Sequence, residues 1–262
     1  MSNNHPFANP HSFGMLSSDC VLSHLKQIPS VIIPLSTLEP YGTSSSLGIS
    51  ALCIDSIAAE VASRLSLLKA PVLHYGVSGR YKAFAGSAGL KPKQFSAMLE
   101  SICNDYFFQG FKEVIFFNSS EENVLALELL LKRYNNQSCK IQIFSIHSDT
   151  VVRDFLGKTF SVKDVDRSEF LMLSVASYLD KNFYKPVGRG TVRPLDQKRY
   201  MQWKKRGRDP ESFKKMFPGG VMTETAGLSS PQAGKVLYEF IVSLLCERYS
   251  HLSGEKNDNA TS

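Results

Sequence analysis

The sequence predicts an α/β domain with a largely parallel sheet that is covered by helices on both faces. β-Branched and aromatic runs recur at Val31 to Ile33, Lys112 to Phe117 and Lys140 to Ile146. Longer segments with helical apolar spacing, such as 91–110 and 124–134, separate these runs. Helical crossovers of this kind join parallel strands. The chain has 262 residues, 43% of them hydrophobic, which favours one large domain over two.

The first half of the chain is expected to hold a lead-in, two strands and two helices. Residues 1–27 predict an irregular or partly helical lead-in. After the first strand, residues 51–68 predict a helix, and Pro71 to Tyr75 (PVLHY) predicts a short buried strand. Residues 76–89 contain four glycines and predict a loop that leads into the next helix.

The middle of the chain continues the alternation of strands and helices. The strand at 112–117 is followed by the loop Asn118 to Asn123 (NSSEEN). The 124–134 helix comes next, and either Ser119 or Ser120 can serve as its N-cap. This loop therefore lies at the end of a predicted strand, where α/β folds place their chemistry.

The C-terminal third is expected to be mainly helical. After a charged stretch, a helix is predicted to begin near Leu171. Residues 231–249 predict the last helix, with a proline in its first turn and Ser229 or Ser230 as its cap. Residues 251–262 are polar and are predicted to be disordered.

Cysteine usage and hydropathy indicate the compartment. The five cysteines are scattered and odd in number, with no CxxC pair, which argues against a disulfide framework or a zinc knuckle. The sequence has no run of about 18 apolar residues, so no transmembrane helix is expected. Its first residues (MSNNHPFANPHSF) lack the basic and apolar regions of a secretory signal. A cytoplasmic protein is predicted.

The net charge of +6 comes mainly from one stretch, residues 185–217, which we refer to as the basic segment. Tyr200 and Trp203 are interleaved with its lysines and arginines, a mixture that also suits nucleic acid. No recognised nucleic-acid motif frames the segment, so nucleic acid is the less favoured partner. The favoured interpretation is a solvated insertion that covers a site and helps to hold an anionic ligand.

The loop after the first strand carries a single candidate acid. It reads PLSTLEPYGTSSSLGIS from Pro34 to Ser50, and Glu39 is the one side chain in it that ordinarily carries a charge at neutral pH. This carboxylate can act as a general base, or it can cap backbone amides or pair with Arg80.

Four blocks of the chain are similar to motifs of one family. They are PLSTLEPYGTSSSLGIS (Pro34 to Ser50), YGVSGRYKAFAG (Tyr75 to Gly86), GFKEVIFFNSSEEN (Gly110 to Asn123) and GGVMTETAGLSSPQAG (Gly219 to Gly234). In this order and spacing, the chain resembles the creatininase (creatinine amidohydrolase-like) family over residues 28 to about 245. The resemblance places the domain at residues 28–250.

The resemblance implies a three-layer α/β/α domain that assembles into rings, often hexamers. Family members typically hold two divalent metals, commonly zinc or manganese, and hydrolyse C–N bonds of cyclic or linear amides. The two cations polarise the amide carbonyl and lower the pKa of a bridging water. Two imidazoles and about three carboxylates are needed to hold them.

This chain departs from the family's ligand set at three positions. The first glutamate is matched by Glu39, but the histidine two residues later is matched by Tyr41 and the bridging aspartate by Ser50. The histidine of the N-G-H motif is matched by Ser120, and Glu122 matches a glutamate that some members have two residues further on. Tyrosine and serine oxygens are poor zinc ligands at neutral pH, because their protons have high pKa values.

Three further observations involve charged or titratable residues, and the last of them, on the histidines, does not depend on the resemblance. A later family glutamate is matched by Asp166 or, with a gap, by Glu169, and both alternatives stay open. Arg80 stands in the block where the family has an acid and then a histidine. Among the six histidines, His147 is the best candidate for a replacement ligand, whereas His74 in PVLHY is expected to be a satisfied core residue.

The sequence therefore predicts a creatininase-fold protein without the dinuclear hydrolysis, a pseudoenzyme that binds a small, anionic ligand or a partner subunit. The residues expected to contact the ligand are Tyr41, Ser50, Arg80, Ser120 and Asn123. No cofactor is expected. One alternative is a C–N hydrolase with a remodelled carboxylate-only site.

In that alternative Glu39 and Glu122 are catalytic, and these two with Asp166 or Glu169 hold one divalent cation (Mg²⁺, Mn²⁺ or Zn²⁺). Another alternative is a structural subunit that assembles with an active paralogue. With any of these functions, a homo-oligomeric ring such as the family's hexamer, or a co-assembly with a paralogue, is expected.

Overall fold

The computed structural model describes residues 10–42, 45–134, 139–162, 167–182, 197–205, 209–222 and 227–253. Its sheet has four parallel strands in the order β2-β1-β3-β4. The strands are β1 (Ser30–Leu35), β2 (Leu68–Lys69), β3 (Glu113–Asn118) and β4 (Lys140–Ser145). All residues of β1 and β3 are buried, which explains why both strands are almost continuously apolar.

Helices cover both faces of this sheet. One face packs against α2 (Ile49–Leu65), α5 (Thr150–Phe160), α6 (Arg167–Leu179) and α9 (Pro231–Tyr249). The other face packs against α1 (Ser18–Leu25), α3 (Pro92–Gln109) and α4 (Val124–Tyr134). Side chains alternate along each strand, so Ile32 contributes to the first apolar cluster whereas Val31 and Ile33 contribute to the second. The predicted α/β fold with a mostly parallel sheet and three layers is confirmed.

Two further helices lie within the described part of the basic segment. They are α7 (Gln197–Lys205) and α8 (Pro210–Met216), and Asp209 caps α8 by accepting a hydrogen bond from the Ser212 amide at 2.8 Å. The side chains of Trp203, Phe213 and Phe217 form an apolar cluster with Tyr81 and Phe84. We call these three residues the aromatic cap, because they cover the site described below.

The prediction of a buried strand at Pro71 to Tyr75 is wrong. The chain pairs with β1 earlier, at β2, and in the later stretch only Leu73 forms an isolated bridge, with Leu35. Pro71 lacks an amide donor, and the side chain of Tyr75 is 60% exposed, so this stretch cannot continue the ladder as a core strand. His74 is half-buried at the surface rather than a core residue.

The sequence analysis gave no helix in the region of α5, and it left two candidates for the N-cap of α9. Helix α5 was not predicted, because three β-branched residues begin it and Gly157 interrupts it. Asp149 nevertheless caps it, accepting hydrogen bonds from the amides of Val151 and Val152 at 3.1 Å. The N-cap of α9 is Ser230, which accepts from the Ala233 amide at 3.2 Å.

Part of the lead-in is helical, as α1, and residues 254–262 lie outside the described residues. The helices of the described part of the chain include none that is long and apolar enough to cross a membrane.

Candidate functional site

Two asparagines join the loops that follow β2 and β3. Asn123 accepts a hydrogen bond from the Val77 amide at 2.8 Å and donates to Asn118 Oδ1 at 3.0 Å. Asn118 in turn donates to the Ser120 carbonyl at 2.8 Å. A Cβ atom on Gly76 would lie only 2.4 Å from Asn123 Oδ1, so a glycine is required for this close approach. Asn123 therefore has a structural role in the loops, at the carboxyl edge of the sheet.

Arg80 lies at the centre of this edge and is buried. Its Nε atom is 3.2 Å from Glu122 Oε1, and its Nη2 atom is 3.2 Å from Glu121 Oε2. The side chain of Glu122 is 10% exposed, whereas that of Glu121 is 50% exposed. Of these two carboxylate partners, Glu122 is thus in the interior and Glu121 is at the surface.

Glu39 lies within electrostatic range of Arg80 and Glu122 and is itself buried. The Tyr41 hydroxyl donates a hydrogen bond to Glu39 Oε1 at 2.7 Å. Burial raises the pKa of Glu39 to about 7, although the Tyr41 hydrogen bond and the charge of Arg80 oppose this shift. At neutral pH Glu39 therefore exchanges a proton readily.

Tyr81 and Glu169 complete the buried part of the site. Burial raises the pKa of Tyr81 far above its ordinary value, and the carboxylates of Glu39, Glu169 and Glu122 add to that effect. Glu169 accepts a hydrogen bond from the Met222 amide at 2.7 Å. The structure thus brings Glu169 to the site from helix α6, while the alternative residue, Asp166, lies outside the described residues.

Ser50 and Ser120, which were expected to contact the ligand, make local hydrogen bonds. Ser50 is buried and donates to the Thr37 carbonyl at 2.9 Å, which joins the first turn of α2 to the loop after β1. Ser120 accepts from the Glu122 amide at 3.3 Å and so caps the 3₁₀ turn Glu121–Asn123 that precedes α4. Both hydroxyls act as short-range structural groups here.

His147 follows β4 and lies beside this site. Its Nε2 atom is 2.8 Å from the Ser119 carbonyl oxygen, which defines Nε2 as the protonated nitrogen. Its Nδ1 atom is buried and has no hydrogen-bond partner in the part of the chain that the structure describes. Burial lowers the pKa of His147, and the charge of Glu121 opposes that shift. The neutral ring thus offers an acceptor near Glu121.

The aromatic cap closes the site from the side of the basic segment. The Arg80 guanidinium carbon is 5.1 Å from the centroid of the Tyr81 ring and 5.8 Å from that of Phe213. Trp203 Nε1 donates to the Asp209 carbonyl at 2.8 Å, and Lys214 Nζ donates to the Ala83 carbonyl at 2.8 Å. The described part of the basic segment therefore packs on the site through its aromatic residues.

Sequence reasoning missed several members of the site. It gave no role to Tyr81 or Met222. It expected the basic segment to cover a site, but it did not identify Phe213 and Phe217 as the residues that do so, because these contacts join residues that are far apart in the chain. One signal was available for Tyr81, which directly follows Arg80 in a block that is similar to the family's S-x-E-H motif.

Comparison with known proteins identifies the family. The creatininase family model, described as creatinine amidohydrolase, matches residues 15–249. The chain belongs to the creatininase family. No curated protein matches the chain.

Several solved creatininases have the same fold. A crystal structure of creatinine amidohydrolase (creatininase) is 17% identical, with a TM-score of 0.70, and the match covers 94% of this chain and 99% of that one. The structure titled "Creatininase Mn" is 16% identical, with a TM-score of 0.70 and coverage of 93% and 98%. A mutant creatininase of Zn-Zn type is 17% identical, with a TM-score of 0.69 and coverage of 92% and 98%. At these identities the likeness shows the shared fold.

Proposed function

We propose that this protein is a creatininase-fold pseudoenzyme that binds a small anionic ligand without the dinuclear metal chemistry of its family. One observation carries the proposal. The buried guanidinium of Arg80 lies between the carboxylates of Glu122 and Glu121 and within electrostatic range of Glu39. A fixed protein cation thus provides the positive charge that a metal pair provides to surrounding carboxylates.

The side chains at the site do not fit the metals named for the solved creatininases, manganese and zinc. Zinc sites use thiolate, imidazole and carboxylate ligands. Tyr41 and Ser50 offer hydroxyls that donate to Glu39 and to the Thr37 carbonyl. Within the described ranges, no group of three His, Cys, Asp or Glu residues is placed so that it could hold a metal ion.

Electrostatics supports the same conclusion. A divalent ion bound by Glu39 and Glu122 would lie close to the Arg80 guanidinium, and like charges in a buried site repel strongly. Arg80 cannot relieve this repulsion by losing its proton, because arginine stays charged in proteins. The carboxylates are therefore compensated by arginine in a way that disfavours a second cation.

Glu121 supports an anionic ligand as the occupant. Its side chain is half-exposed, whereas the other partner of Arg80, Glu122, is nearly buried. A ligand carboxylate or phosphate that displaces the Glu121 side chain would pair with Arg80. Ligands of this class match the planar donor fork of the guanidinium.

Metal analysis of the purified protein tests the proposal. Protein from cells grown with added zinc and manganese is expected to contain well under two equivalents of these metals per chain, because the dinuclear site is absent. About two equivalents of zinc or manganese per chain would overturn the proposal.

Isothermal titration with a panel of small dicarboxylates and phosphates tests the ligand class. Glu121→Gln should tighten binding of the ligand, and Arg80→Met should abolish it.

A second candidate rests on a separate observation. The pKa of Glu39 is about 7, which is suitable for a general acid or base at neutral pH. This pKa supports a second candidate, a hydrolase that acts on an amide or a cyclic amide. It would use Glu39 and Glu122 without two metals. Its test is a panel of linear and cyclic amides. Turnover that disappears in Glu39→Gln would favour this hydrolase over the pseudoenzyme.

A further inference from the structure

Two histidines near the start of the described chain form a pair away from the site above. The ring centroids of His11 and His24 are 5.9 Å apart, and the ring planes meet at 71°. His24 lies in the last turn of α1, and the carbonyl of His11 accepts a hydrogen bond from the Lys69 amide of β2 at 2.9 Å. One ring is thus held by a helix and the other by a segment that is bonded to the sheet.

One nitrogen of this pair is buried and unsatisfied. His24 Nε2 has no hydrogen-bond partner among the residues that the structure describes. Buried polar atoms are normally paired, so such an exception calls for a bound water or ion. Burial, and then the neighbouring His24, lower the pKa of His11. The His11 ring is therefore neutral at pH 7, which is the form that binds metals.

We propose that His11 and His24 together bind one divalent transition-metal ion, with Cu²⁺ preferred over Ni²⁺ and Zn²⁺. Imidazole is a good ligand for all three ions, and Cu²⁺ has the highest intrinsic affinity. With metal–nitrogen distances near 2.0–2.1 Å, two rings on one ion have centroids about 5 Å apart. The observed separation of 5.9 Å is longer than this, so the two rings must move closer together to share one ion.

The protein supplies two ligands and water completes the coordination shell. No third His, Cys, Asp or Glu of the described chain is placed to join the two rings in a metal site. The ion would connect α1 to the segment that precedes it, which packs with α1 on the apolar cluster through Phe13 and Leu25. An ion that binds only the folded form raises the free energy of unfolding. This increase grows with the logarithm of the ratio between the ion concentration and the dissociation constant.

The test uses tag-free, EDTA-treated full-length protein that is titrated with Cu²⁺ by calorimetry at pH 7.5. We expect one strong site per chain, and electron paramagnetic resonance should show two coordinating nitrogens. The variants His11→Gln and His24→Gln should each weaken binding at least tenfold. His251→Gln is the matched control, because His251 is exposed and lies in another part of the chain, and its affinity should be unchanged.

A double variant, His11→Gln with His24→Gln, that keeps the strong site would overturn the proposal. So would a resonance spectrum with one coordinating nitrogen in the unmodified protein. Paramagnetic broadening of the ring protons of both histidines in the unmodified protein provides a test that does not depend on the folding of any variant. Binding should also weaken in acid, because protons compete with the metal ion for the imidazole nitrogens.

Discussion

Replacing Arg80 by methionine is expected to destabilise the fold, because it leaves buried carboxylates without their cation. Glu122 pairs with Arg80 at 3.2 Å, and both side chains are almost inaccessible to water. Removing one partner of a buried pair typically costs about 3–5 kcal/mol. Urea unfolding at pH 8 should therefore show a free energy of unfolding that is lower by about 3 kcal/mol.

The matched control is Arg64→Met, since Arg64 pairs with Glu60 on the exposed face of α2. Surface pairs of this kind contribute about 0.5 kcal/mol or less. A second check is the double variant Arg80→Met with Glu122→Leu, which should recover much of the stability because neither charge is then left alone. Equal losses for Arg80→Met and Arg64→Met would contradict the importance of burial.

The raised pKa of Glu39 predicts how stability changes with pH. Its pKa rises from 4.5 to about 7 on folding, chiefly because the carboxyl is buried. The folded state therefore holds this proton more tightly, and the stability that protonation provides is complete below pH 4.5 and lost as the pH rises to about 7. At 1.36 kcal/mol per pKa unit, the loss is on the order of 3 kcal/mol.

Glu39→Gln should flatten this part of the profile. Glutamine keeps an oxygen that can accept the hydrogen bond from the Tyr41 hydroxyl, but it carries no charge. The variant should therefore be more stable than the unmodified protein at pH 8. Urea unfolding at pH 5, 6, 7 and 8 measures the effect. Parallel profiles for the two proteins would show that Glu39 is not the group responsible.

The elements of the fold follow from the sequence where local pattern and packing agree. Strands β1 and β3 are buried on both faces and read as continuous apolar runs, and α4 and α9 begin and end where their spacing predicts. The stretch 71–75 has the composition of a strand, but β1 pairs with β2, which precedes this stretch in the chain. The prediction of a strand at 71–75 is wrong for this reason.

The candidate site was predictable only in part, for a similar reason. Glu39, Arg80 and Glu122 lie together because each follows a strand or precedes a helix that the sequence indicates. Tyr81 and the aromatic cap meet across more than 120 residues of chain, and no local pattern records such a contact.

The crossing of α6 and α9 depends on a single glycine. A Cβ atom on Gly234 would lie 1.9 Å from the Ser174 carbonyl oxygen, which is too close for any real contact. Gly234→Ala should therefore force the helices apart and destabilise the protein by at least about 2 kcal/mol, despite the better helix propensity of alanine. Thermal unfolding followed by circular dichroism measures the change. Lys235→Ala is the control, because its side chain is exposed on the same helix, and it should change stability little.

At the scale of the whole molecule, the sheet separates two apolar cores. Cys53 of α2 belongs to one and Cys103 of α3 to the other, and both thiols are fully buried. Burial raises the pKa of Cys103 to about 12, and it raises that of Cys53 further still. Neither thiol can react until its own side of the molecule opens.

These thiols test whether the two cores unfold together. Two variants would each keep one buried cysteine, with the other cysteines replaced by serine or alanine, and would be treated with a thiol reagent at increasing urea. Because strands β1 and β3 contribute side chains to both cores, we expect the layers to separate in one step. The opening free energies of Cys53 and Cys103 should then agree with each other and with the global free energy of unfolding from circular dichroism.

A lower opening free energy for Cys103 would instead mean that α3 and its neighbours leave the sheet first. The exposed Cys20, kept alone in a third variant, should react without urea and so calibrates the rate of a free thiol.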